Sequence, residues 1–283
     1  MTSEQIVAVT GTPGSPFAAL RALLGTAVVR IVLIAVAVIT CGPVIFMIVK
    51  SITRQDGSNA LDLTAWQKVL QGDLPGAALV SIAVCVFSIA LLLTLASLAA
   101  FAFAKLPFRG SQSALSLIIV MMLVPLQTYL LTLYFNYSHL DLIGNLPAVC
   151  LLYATTQLPF AIFIMTNFFR AIPDELLEAA VVDGASYPRA FWGVFLPMAR
   201  PAMVTVGVLA FIGIWNDLLL ALLFLPTPGQ RTLSVVMASS QNAQVFDVSL
   251  VMAGSLLAAL PCIIIYIIFE RQIAVGITAG TGK

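Results

Sequence analysis

Apolar residues along this chain gather into six long blocks separated by short polar segments, near residues 27 to 49, 77 to 104, 113 to 133, 144 to 168, 202 to 225 and 246 to 269. Each block reaches about 20 residues, and at 1.5 Å rise per residue a helix of that length covers the ~30 Å hydrocarbon core of a bilayer. Greater lengths imply tilt, or helix running past the lipid. Period-two alternation is absent and the blocks far exceed the roughly ten residues of a barrel strand, which excludes a barrel. The pattern therefore predicts an all-α, polytopic membrane protein, a six-transmembrane-helix bundle.

The polar segments sort by character. Residues 1 to 26, with Gly11, Pro13, Gly14 and Pro16 close together, read as a flexible tail; 27 to 270 as the transmembrane domain; 271 to 283 as a C-terminal tail. The segment from 50 to 76 carries Leu61, Leu63, Trp66, Val69 and Leu70 in a spacing that suits a short interfacial helix. Lys105 to Gly110 is a short basic turn broken by Pro107, whereas 134 to 143 and 226 to 245 read as polar loops.

Composition agrees with the pattern: 61% of residues are hydrophobic, 9% are charged and mean hydropathy is +1.07. Water cannot be the main solvent of such a surface. The net charge of +1 invites neither nucleic acid nor an acidic substrate. Placement of the charges says more. A cytoplasmic N-terminus puts Arg21, Arg30, Lys105, Arg109, Arg170, Arg189, Arg200, Arg271 and Lys283 inside and leaves Lys50, Arg54, Lys68 and Arg231 outside. That asymmetry follows the positive-inside rule and predicts two cytoplasmic termini. Cys41, Cys85, Cys150 and Cys262 all fall in apolar blocks without a C-x-x-C pair, as buried inert thiols do. His139 is the only histidine, so neither a His-based metal cluster nor a Ser-His pair can be assembled. No catalytic residue and no metal site are expected.

The segment from Arg170 to Pro201 is the one with local chemistry. Pro173 suits a first helical position, and Asp174 and Glu175 lie where a helix dipole favours negative charge. Leu176 to Ala180 continue the helix, and Gly184 can take the left-handed conformation that ends it. Ser186 offers an N-cap to a second helix from Tyr187 to Leu196, and Pro197 and Pro201 interrupt the chain before the fifth span. Tyr187, Phe191 and Trp192 are large apolar groups in a segment that water should reach. They serve either a partner surface or packing onto the chain's own spans.

Glu178-Ala179-Ala180, Asp183-Gly184-Ala185, Leu196-Pro197 and Pro201 together resemble the EAA loop of permease subunits of binding-protein-dependent ABC importers. Ile214-Trp215-Asn216-Asp217, Arg231-Thr232-Leu233 and Ala274 to Gly280 resemble the maltose-type carbohydrate permeases within that family, with Val194 where the family motif often has Ile. The resemblance implies an ABC importer permease bundle in a prokaryotic cell membrane, with a cytoplasmic coupling-helix loop. It implies four kinds of partner: a second permease, expected to be a different chain, a cytoplasmic ABC ATPase dimer, an extracytoplasmic solute-binding protein and the lipid membrane. It further implies that the partner ATPase uses ATP and Mg while this chain binds no cofactor, and that Glu178, Ala179, Ala180, Asp183, Gly184, Ala185 and Pro197 couple the two. Glu178 can also be read as a solvated helix charge.

Polar groups inside spans face a bundle interior or a cavity, which singles out Gln127, Asn216 and Asp217 as substrate-pathway candidates. Asn216 is better suited to packing between helices than to solute contact. The chief alternative is a secondary transporter, which would need coupling-ion charges near the midplane that the spans scarcely offer. The tail Gly280-Thr281-Gly282-Lys283 lacks the spacing of a phosphate-binding loop.

Overall fold

A computed structural model describes residues 16–54, 60–106, 108–240 and 247–280. The Gly- and Pro-bearing tail before Pro16, Pro107 and the last three residues lie outside that set. Four helices contain apolar stretches long enough to span a bilayer: α1 (Pro16–Ser51), α3 (Leu74–Lys105), α6 (Leu146–Ala171) and α13 (Val248–Gly280). Helix already begins at Pro16 and persists to Gly280, so both expected tails are partly helical.

The expected third span is broken. α4 (Ser111–Met121) and α5 (Leu126–His139) meet at 93°. Pro125 has no N–H to continue the helix, and Leu123 and Val124 instead close tight turns on the carbonyls of Val120 and Met121 at 3.0 and 3.2 Å. A second bent pair, Tyr187–Met198 with Arg200–Trp215, turns by 71°. With each pair counted once, up to six segments have the length and apolarity to cross.

The expected fifth span is also shorter than its apolar run. α10 (Arg200–Trp215) stops at Asn216, and a separate α11 (Leu219–Phe224) follows. Irregular backbone at such a depth must be satisfied by protein. The Asp217 carboxylate supplies one partner, accepting from the N–H groups of Leu220 and Ala221 at 2.9 and 3.2 Å and from the Tyr153 hydroxyl at 2.8 Å. Ser234 supplies another by donating to the Trp215 carbonyl at 2.8 Å. Ser234 lies in α12 (Leu233–Ser240), inside the segment expected as a polar loop. Leu233, Val235 and Met237 are buried there, and the Leu233 N–H donates to Ser81 Oγ of α3 at 2.8 Å.

α3 and α6 pack along their length, and α10 crosses both. Lipid tails are as apolar as leucine, so this packing rests on close approach and dispersion rather than on expulsion of water. Ala96, Ala100, Ala154 and Ala161 are fully buried, as close helix contact requires. Two cores result. One gathers Val69, Cys85, Tyr153, Trp215 and Phe224 near the start of α3; the other gathers Phe101, Phe169, Phe191 and Phe195 near its end. Along α1, by contrast, Ile31, Leu33, Ile34, Val38 and Ile39 are all exposed, as a lipid-facing helix would have them. Cys41 is exposed with them, whereas Cys85 and Cys150 are buried.

The 50–76 segment holds the short helix its spacing predicts, α2 (Thr64–Gln71), with Val69 fully buried. Trp66 Nε1 donates to Ser51 Oγ at 3.3 Å. Asp62 anchors the helix start by accepting from the hydroxyl and the N–H of Thr64. Those two bonds, helped by the charges of Arg54 and Lys68, hold its carboxyl below the ordinary value.

Candidate functional site

At the opposite end of α3 from α2, the chain between α6 and α10 forms the two-helix loop. α7 (Glu175–Val182) ends as its sequence requires. Gly184 has φ +81°, its N–H bonds to the Val181 carbonyl at 3.0 Å and the Ala185 N–H bonds to the Ala180 carbonyl at 2.9 Å. Those paired bonds form a Schellman motif, which a Cβ at the left-handed position strains. The Glu-Ala-Ala and Asp-Gly-Ala triplets are thus the last turns of one helix and its stop.

Two local expectations, for Pro173 and Pro197, are corrected, and Ser186 stands at the N-cap as expected. Pro173 lies one residue before the cap position, which Asp174 occupies, and the Asp174 side chain makes no capping bond. Ser186 sits at the next N-cap with φ −71° and ψ 158°, yet only its carbonyl bonds inward, to the Ala190 N–H at 2.9 Å. Pro197 does not interrupt the second helix. Tyr187–Ala190 (α8) continues through a π-helical stretch, Phe191–Phe195, into Leu196–Met198 (α9), with the Leu196 N–H reaching back to the Phe191 carbonyl. Proline lacks a donor and crowds the carbonyl four residues back, and a widened turn ahead of it relieves both. The break falls at Ala199, where α10 begins.

The aromatic residues divide between the two uses left open by the sequence. Phe191 and Phe195 are buried against Phe101 of α3, each with ring centroids 5.2 Å apart, and Phe169 of α6 joins them at 6.0 Å from Phe101. Contacts of this kind are worth about 0.5–1.5 kcal/mol each. Tyr187 and Trp192 remain exposed. So do Glu178, Ala179, Asp183 and Gly184, whereas Ala180 and Ala185 are half-buried and Pro197 is exposed on α9. Val182 is 86% exposed, and no residue of α7 is fully buried.

Lys105, expected in a short basic turn, instead points into the protein. Its side chain is 1% exposed, and Nζ donates to Asp174 Oδ1 and to the Ile172 carbonyl, both at 2.5 Å, and stands 5.8 Å from the centre of the Phe195 ring. A cation at the last residue of a helix is favoured by the helix dipole. Beside it a groove of about 600 Å³ separates α7 from the end of α3, lined by Ala104, Leu106, Leu177, Val181 and Tyr187 among others.

The three pathway candidates do not form one cluster. No hydrogen bond joins Gln127, Asn216 and Asp217 to one another among the described residues. Gln127 is exposed in the first turn of α5; Asn216 is exposed and donates to the Ile212 carbonyl at 2.8 Å and to Cys262 Sγ at 3.7 Å. Asp217 is occupied by Tyr153 and the start of α11. Among the described residues no group of three or more His, Cys, Asp or Glu could hold a metal ion.

Residues 98–275, which contain this loop and α10 to α12, match the family described as the inner membrane component of binding-protein-dependent transport systems. The chain belongs to that family. The permease is 34% identical over 222 residues to the trehalose transport system permease protein SugB of Mycobacterium tuberculosis, covering 77% of this chain and 81% of the relative. It is 32% identical over 206 residues to the diacetylchitobiose uptake system permease protein NgcG of Streptomyces coelicolor, covering 71% of this chain and 67% of the relative. Its fold matches a chain of a bacterial ABC transporter that imports alginate, with a TM-score of 0.78 at 22% identity, covering 92% of this permease and 99% of that chain. The permease is a membrane-embedded, non-catalytic subunit of an importer, and ATP hydrolysis belongs to a separate subunit.

Proposed function

We propose that this permease forms half of the translocation pathway of an ABC importer for a carbohydrate or a related polyhydroxylated solute. On this reading it lies in the inner membrane of a prokaryote with both termini in the cytoplasm. It pairs with a second permease that is a different chain, receives solute from an extracytoplasmic binding protein and docks α7 on a cytoplasmic ATPase dimer that uses ATP and Mg. The observation that carries the reading is α7 itself: a capped helix outside the spans, with no fully buried residue, presenting Glu178, Ala179, Asp183 and Gly184 outward. A helix so exposed needs a partner. Ala180 and Ala185 close its end, and Pro197 shapes the helix that follows.

The carbohydrate assignment is supported by the cargo of SugB and NgcG, trehalose and diacetylchitobiose. Gln127 and Asn216 offer amides to a solute in the pathway, and Asp217 shapes the break beside them. Uptake of labelled disaccharides by proteoliposomes containing both permeases, the ATPase and the binding protein tests the reading. ATP-dependent uptake of a disaccharide supports it; uptake driven by an ion gradient without ATP would favour a secondary transporter and refute it.

A further inference from the structure

We propose that Lys105 is a positioning residue for coupling: its ammonium group ties the entrance of α7 to α3, so that displacement of α7 moves the spans instead of only bending the loop. The proposal rests on the reading of α7 as the ATPase contact.

A helix can transmit displacement only through what joins it to the bundle, and α7 has few such joints. It has no fully buried residue, and the groove of about 600 Å³ keeps much of its inner side off α3. At its far end the chain leaves through Gly184, exposed and in open space. Its near end is different. Ile172 is buried in the core, Pro173 follows with its ring-fixed φ, and Lys105 grips both neighbours of that proline, the Ile172 carbonyl and the Asp174 carboxylate.

The same ammonium lies over the ring of Phe195, which belongs to the π-helical stretch leading to α10. Three segments therefore meet at one nitrogen: the end of α3, the start of α7 and the helix that enters α10. Because α3 packs along α6 and against α10, a shift of the Asp174 position is handed to three spans at once. Rigid elements with fixed contacts are what carry such coupling.

The side chain must also be held there by its partners. Lys105 is 1% exposed while Asp174 is 78% exposed, so the cation is the withdrawn member of the pair. A withdrawn ammonium whose carboxylate is removed keeps the Ile172 carbonyl and the Phe195 ring but loses its compensating charge.

The test uses the complete importer in proteoliposomes and measures solute transported per ATP hydrolysed. Lys105→Met keeps length and removes charge, and is expected to lower that ratio about tenfold while the complex still assembles. Lys105→Arg, which can bond both oxygens, is expected to restore most of it. An unchanged ratio in Lys105→Met overturns the proposal, as does a fall in transport and ATPase activity together with assembly, the signature of a merely structural lysine. Should Lys105→Met fail to assemble, Asp174→Asn removes only an exposed carboxylate; a lowered ratio there supports the tether and a wild-type ratio overturns it. Each variant also carries Val182→Cys, at an exposed α7 position outside the coupling set, for disulfide cross-linking to a cysteine in the ATPase. Without any cross-link, the docking reading itself fails; with a normal cross-link and normal ratio, only the tether does.

Discussion

Replacing Gly184 with valine should uncouple the importer without unfolding it. The geometry isolates a single cost. Gly184 has φ +81°, and a Cβ built on it meets nothing within 4 Å, so no clash is introduced. What valine adds is backbone strain, about 1–3 kcal/mol for a side chain held in the left-handed region. The chain relieves the strain by leaving that region, which opens the Ala185 to Ala180 and Gly184 to Val181 hydrogen bonds and frays the end of α7. Since about 1.4 kcal/mol is a factor of ten in a population, the docked form of α7 should fall by roughly 5- to 150-fold. Asparagine tolerates the left-handed conformation best after glycine, and β-branched valine worst. Transport at matched membrane abundance should therefore rank glycine above asparagine, asparagine above alanine, and alanine above valine. Wild-type transport by Gly184→Val, or a ranking that follows side-chain size without sparing asparagine, refutes the reasoning.

Asp217→Ala removes a helix cap worth about 1 kcal/mol and leaves the Tyr153 hydroxyl unpaired for about another 1–3 kcal/mol. The purified complex should melt well below an Asn216→Ala control, with Asp217→Asn in between; equal melting of all three contradicts the cap. In Gly254→Ala the new Cβ stands 2.6 Å from Met237 Sδ and 3.4 Å from Leu74 Cδ1. Overpacking of this kind costs about 1–3 kcal/mol, at the low end where flexible methionine can move, and Met237→Ala in the same chain should recover part of the lost thermal stability. The lowered Asp62 pKa means that its carboxylate stabilises the start of α2 fully above the ordinary value of 3.8 and ceases to do so as pH falls through the lower folded value. Hydrogen-exchange protection of Thr64–Gln71, corrected for intrinsic rates, should stay flat from neutral pH to about 4 and drop below it; Asp62→Asn should remove the drop.

What the sequence discloses depends on how local the physics is. Span positions are legible because apolar length is the whole signal. The end of α7 is legible too, since the left-handed turn at Gly184 is a property of one residue and its neighbours. The break inside the fifth span is not, because Leu218 to Leu225 is as apolar as the helix before it, whereas Pro125 is a local signal at the break in the third. The stop in the fifth is marked by the local cap at Asp217 together with two bonds made across the fold, from Tyr153 to Asp217 and from Ser234 to the Trp215 carbonyl. α12 was hidden for a related reason: Leu233 to Met237 is too short to read as a span, yet it packs against α3 and α13. Lys105 is the clearest case. Alone it is a basic residue closing an apolar run, and its partner lies 69 residues further along the chain.

Photo-cross-linking from α7 in the assembled importer tests the central claim most directly. Probes placed at Glu178, Val182 and Asp183 should yield adducts with the ATPase, while a probe at Lys68 on α2, at the other end of the bundle, should yield none with it. ATPase adducts absent from all three α7 positions in an importer that still transports would contradict the account.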